Sequence, residues 1–128
     1  MSKILTILYM ASLLNLEAVE WMSLAEGLDK AKQSHKLIMI DVVRDRCHFC
    51  TDMDKNVFQD KKLSRWIQSC FIPVKLNLSK QKLPNDLKVQ VTPTFLFVND
   101  KLELIKKIQG SWDTHDFKEL SQKLCKEN

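Results

Sequence analysis

The sequence predicts an α/β domain with one central mixed sheet and helices on both faces, on two main observations. The apolar run LIMIDVV at 37–43, a helical stretch and the alternating run FIPVKLNL at 71–78 make a strand–helix–strand unit. Two further β runs, TFLFV at 94–98 and LELIKKI at 102–108, are joined by Asn99-Asp100-Lys101, a hairpin signal. A crossover unit followed by a hairpin mixes parallel with antiparallel pairing, and the helices around it must cover both faces.

The elements follow in order. Residues 1–18 open Met-Ser-Lys and then run apolar from Ile4 to Leu16, broken only by Thr6, Ser12 and Asn15. That matches the apolar segment of a secretory signal peptide, whereas a spanning helix needs roughly 20 apolar residues. An uncleaved anchor is the alternative. Removing residues 1–18 from 128 leaves 110, the length of one domain, 19–128, and the net charge stays at +4. With 45% hydrophobic residues, two glycines, three prolines and no repeat or linker, a second domain is excluded; interspersed charge excludes a nucleic-acid tract.

At 23–34, Leu24, Leu28 and Ala31 share one helical face behind Ser23, a capping residue. After the first strand, helix resumes at 49–56 with Met53 inward. Asp60 caps a second piece carrying Leu63, Trp66 and Ile67 at helical spacing. Pro73 places the strand at 71–78 at an end or edge of the sheet. A short helix is expected at 84–88. Asp113 or Thr114 caps a closing helix with Phe117, Leu120 and Leu124 inward.

The chemistry centres on Cys47-His48-Phe49-Cys50, between the first strand and the following helix. Unpaired N–H groups at a helix N-terminus favour thiolate over thiol, so Cys47 is the candidate nucleophile and Cys50, one turn on, the resolving thiol. A structural zinc site needs four ligands, but Cys70 and Cys125 stand alone and His35 and His115 show no paired spacing. Haem attachment requires His after the second cysteine, where Thr51 stands. Arg44 and Arg46 either favour the thiolate or are solvated loop charge, and His48 either stabilises the thiolate when protonated or shapes the partner surface. Phe49 reads as a packing or docking residue. Cys47, Cys50 and Met53 also form a soft-donor set for Cu(I), so a copper chaperone is the rival function.

Four features together resemble the thioredoxin-like superfamily across about residues 20–125: an acid, Asp41, six residues before Cys47; VTPTFLF, a proline before a strand; Gly110 after the final strand; and the closing amphipathic helix. MDKNVFQDKKLSRWI followed by FIPVKLNL resembles, more narrowly, a secreted branch represented by the C-terminal domain of the bacterial transmembrane disulfide reductase. Arg46 stands where thioredoxins carry Trp, and the dipeptide between the cysteines is His-Phe rather than Gly-Pro.

The resemblance implies a thioredoxin-like fold with a four- to five-stranded mixed sheet. It implies a periplasmic thiol–disulfide oxidoreductase, a soluble monomer without cofactor or metal, that reduces disulfides of partner proteins and is recharged by a membrane electron donor. It also implies that Asp41 accepts the proton of Cys50, that Pro93 is a cis proline facing the disulfide, and that Thr92 and Pro93 join His48 and Phe49 in the substrate-binding surface. In the thioredoxin-like arrangement, finally, Cys70 and Cys125 end neighbouring helices. They are then either a second, structural disulfide or two separate buried thiols, and Cα atoms farther apart than about 7 Å would exclude the bond.

Overall fold

The computed structural model describes residues 18–125. The signal-peptide reading therefore falls, apart from Ala18, outside the described residues.

Helix α1, Leu24–Ser34, starts where the Ser23 side chain accepts the Glu26 N–H. Strand β1, Leu37–Val43, is buried throughout. Helix α2, His48–Asn56, and helix α3, Lys61–Cys70, follow, the latter capped by the Asp60 carboxylate on the Leu63 N–H. Strand β2, Phe71–Asn77, strand β3, Thr94–Val98, strand β4, Leu104–Gln109, and helix α4, Thr114–Ser121, complete the order. Asp113 caps α4 through the Asp116 N–H, and a short 3₁₀ turn, Gln122–Leu124, leads to Cys125.

The four strands are ordered β2-β1-β3-β4. β1 runs parallel to β2 and antiparallel to β3, and β3 antiparallel to β4, so the sheet is mixed as the sequence predicts. Pro73, which has no N–H to give, lies on the edge strand β2. Outside it, Met22 forms a single bridge to Val74, its N–H donating to the Pro73 carbonyl at 3.1 Å.

Strand alternation divides the core between the two faces. Ile38, Ile40, Val42, Val74 and Leu96 meet Ala31 and the α1 face. Here Gly27 allows α1 to approach β2 closely: a Cβ at that position would stand 2.4 Å from the Val74 side chain. On the other face Met39, Phe95 and Phe97 meet Met53, Ile67 and Phe117 from α2, α3 and α4. Phe58, Phe95 and Phe117 pack edge to face with centroids 4.9 to 5.7 Å apart, the arrangement that ring quadrupoles favour. Trp66 packs on Phe71 in the same way, with the Lys118 ammonium above it.

Two expectations are corrected. The segment at 84–88 is a turn rather than a helix: Asn85 adopts φ 52, a left-handed conformation that ends helical winding. Strand β4 starts at Leu104 rather than Leu102, because Leu102 has φ 63 and the Asn99 side chain accepts the Lys101 and Glu103 N–H groups, folding the connection into a tight loop.

Cys70 and Cys125 are bonded, with Cα atoms 4.9 Å apart. The bond joins the end of α3 to the end of the closing helical segment and spans 55 residues of chain. Converting both cysteines to Ala should lower stability by about 4 kcal/mol in the chain-entropy model. Denaturant unfolding checks this; a loss below about 1 kcal/mol would mean that the cross-link hardly restricts the unfolded chain.

Candidate active site

The site sits at the C-terminal end of β1. Past Val43 the chain turns through Arg44, Asp45 and Arg46 before Cys47 caps α2. Arg46 adopts φ 58, uncommon for a residue with a side chain. The turn is held by Asp45, whose N–H donates to Ser79 Oγ at 3.0 Å and whose carboxylate accepts from Asn77 Nδ2 at 2.9 Å.

Cys47 and Cys50 form a disulfide. Cys50 is only 6% exposed, whereas Cys47 is half-buried with one side open. The Cys50 N–H points at Cys47 Sγ at 3.2 Å and the Thr92 hydroxyl lies 3.3 Å from the same atom. Both are donors to a sulfur that becomes a thiolate when the bond opens, and hydrogen bonds to the charged form favour it. Thr92 thus stands beside the cysteines as the resemblance implies, and the Thr92–Pro93 peptide is cis. The Gly110 N–H donates to the Pro93 carbonyl at 2.8 Å, so the loop after β4 braces the loop before β3. Gly110 has φ 90, which a side chain would disfavour. Thr92 itself makes no backbone hydrogen bond among the described residues.

His48 is exposed and lies 3.4 Å from Asp52, one turn along α2, so the carboxylate offsets any charge the ring carries. Phe49 is 60% exposed, a large apolar surface beside the disulfide. Val91 and Trp112 are exposed as well. The Trp112 N–H donates to the sulfur of Met53 at 3.2 Å, and Met53 is buried. Its lone pairs thus face the core and the Trp112 backbone, as in a packing residue rather than an open copper ligand.

Asp41 is 1% exposed, on the β1 face that meets α2. Its Oδ1 has no hydrogen-bond partner among the described residues, and burial pushes its carboxyl up to about 7, against the downward pull of Lys75 and with a smaller upward push from Asp54. Lys75 Nζ lies 3.9 Å from Asp41 and 2.8 Å from Asp54. The same ammonium stands 4.8 Å from the Trp21 ring centroid, and Trp21 packs edge to face on Phe58. Asp54 and Lys75, the charged neighbours of Asp41, also line the cleft beside Cys47 and Cys50. Sequence reasoning did not find Lys75, Asp54 or Trp21. Asp41↔Lys75 pairing across β1 and β2 was the only available signal, and it depends on the strand register.

A thioredoxin-like domain model matches residues 24–124. The chain belongs to the thioredoxin-like domain family. With its paired Cys47 and Cys50, this member is a thiol–disulfide oxidoreductase. Thioredoxin H4 of Arabidopsis thaliana is 34% identical over 85 residues, covering 66% of this chain and 68% of that protein. The human Spermatogenesis-associated protein 20 is 31% identical over 67 residues, 52% of this chain; the chain spans only 8% of the length of that protein and of its mouse counterpart. In fold, the chain is similar to the oxidised C-terminal domain of DsbD from Neisseria meningitidis. The TM-score is 0.65 at 14% identity, over 81% of this chain and 98% of that one.

Proposed function

We propose that this thioredoxin-like domain is exported to the periplasm and reduces disulfides in partner proteins, with Cys47 as nucleophile and Cys50 as resolving thiol. The observation that carries the reading is the asymmetry of the pair: a more accessible sulfur facing two donors, and a shielded one. The Cys47 thiolate attacks one sulfur of the partner disulfide, and the other leaves as a thiolate that takes up a proton. Asp41, ionised, accepts the Cys50 proton directly or through water. Cys50 then attacks Cys47 Sγ and releases the partner as a dithiol, leaving Cys47–Cys50 oxidised.

His48 and Phe49 meet the partner, while Thr92 offers its free backbone to an extended segment carrying the disulfide and the cis Pro93 after it holds that backbone in place. The reducing direction is supported by Asp52, which offsets any charge on His48 and so removes one source of thiolate stabilisation. Export is supported by the apolar leader at 1–18 and by the Cys70–Cys125 bond, since structural disulfides persist in oxidising compartments. A membrane electron donor would recharge the pair.

The equilibrium potential of Cys47/Cys50 against glutathione tests the direction. A value near about −270 mV is expected, and one near about −120 mV would make the protein an oxidant instead.

A further inference from the structure

The cleft beside the disulfide carries unused positive charge. It is about 430 Å³ in volume and is lined by Arg44, Arg46, Cys47, His48, Asp54 and Lys75 among others. The charges can be accounted for one by one. Lys75 is taken by Asp54 at 2.8 Å, and His48 faces Asp52. Asp45, between the two arginines, is turned away onto Asn77 Nδ2. Arg44 and Arg46 are exposed, and neither has an ion pair or a side-chain hydrogen bond among the described residues. Two guanidiniums thus share the cleft with the attacking sulfur, and neither is held in an ion pair with a carboxylate among the described residues. They stand on the turn that the Asp45 contacts to Ser79 and Asn77 hold in place.

Guanidinium presents a planar fork of donors that matches a carboxylate. The apolar residues Phe49, Val91 and Trp112 do not line this cleft. We infer that the Arg44–Arg46 side of the site selects disulfides flanked by carboxylates. This deepens the reductase reading and rests on it. The selected group is a carboxylate within a few residues of the attacked sulfur, carried either by an acidic protein segment or by a small anionic peptide disulfide. The exchange step is the one described above; the arginines bind and orient the substrate without entering the electron balance.

The test compares the reduced protein acting on three probes: two disulfide-cyclised peptides of equal length whose cysteines are flanked by Glu or by Lys, and oxidised glutathione. At low salt the Glu peptide should show kcat/KM about tenfold above the Lys peptide, since complementary charge raises encounter and like charge suppresses it. The ratio should shrink but stay above one at physiological ionic strength, where charges more than about 8 Å apart are screened and contact pairs much less so. It should also fall to about one in the double variant Arg44→Gln, Arg46→Gln. Taking the ratio within each variant cancels any change in the thiolate itself.

Salt- and arginine-dependent reduction of oxidised glutathione would assign the small-peptide source, and its absence alongside a Glu-peptide preference the protein segment; both support the inference. Equal rates for the Glu and Lys peptides, or a preference that survives the double variant, would overturn it. Failure to reduce any probe would overturn the reductase reading beneath it.

Discussion

Asp41→Asn should give a protein that resists unfolding better at pH 8 and turns over more slowly. The carboxyl titrates at about 7 in the folded chain, against an ordinary value of 3.8. Between those values the folded state binds more protons than the unfolded one, so stability falls as pH rises through the window and stays low above it. The penalty reaches on the order of 4 kcal/mol above pH 7 and vanishes below the ordinary carboxylate range. Asn carries no such penalty. Denaturant unfolding should therefore separate the variant from the parent at pH 8 and bring them together near pH 4.

Activity should move the opposite way, with kcat falling by on the order of tenfold or more and KM changing little, because proton transfer rather than partner binding is lost. Lys75→Met provides the complement. Without the cation that lowers its affinity for protons, Asp41 should titrate higher still, and the pH midpoint of turnover should rise above about 7. Rates unchanged by Asp41→Asn across pH 6 to 9 would reduce the residue to a structural one.

The second large effect separates the two thiols. Cys47→Ser should remove disulfide reduction down to the uncatalysed background, because the remaining Cys50 is shielded from a protein partner. Cys50→Ser should still be attacked through Cys47 but stall, accumulating mixed disulfides between Cys47 and its partners. Non-reducing electrophoresis of each reduced variant mixed with a disulfide-bearing protein reads the outcome directly. Equal trapping by both variants would overturn the assignment of roles.

Much of this was legible in the residues. Asp60, Ser23 and Asp113 announce their helices because capping is a local interaction over three residues. The CxxC spacing and the acid six residues before it locate the site for the same reason. The turn at 84–88 is not legible there, because composition alone does not reveal that Asn85 takes a left-handed conformation. The cluster of Asp41, Lys75 and Asp54 was out of reach because its members come from β1, β2 and α2 and meet only after the strands are in register. Whether Cys70 and Cys125 bond was likewise a question of how two helix ends meet.

The three tryptophans are distributed so that each samples a different region. The Trp112 indole donates to the Gln109 carbonyl at the end of β4, Trp66 borders the same cleft as Cys125, and Trp21 stacks under the Lys75 ammonium that links the two acids. Because β1 and β2 run parallel, with Cys47 beyond the end of one and Cys70 before the start of the other, the two disulfides lie at opposite ends of the sheet, roughly 20 Å of strand apart. Indole emission is quenched by a nearby disulfide and by protonated neighbours, so single-tryptophan variants would turn the protein into its own optical instrument. Emission from Trp66 would follow the remote cystine and Trp21 the protonation of the buried acid network, each recorded without an added label.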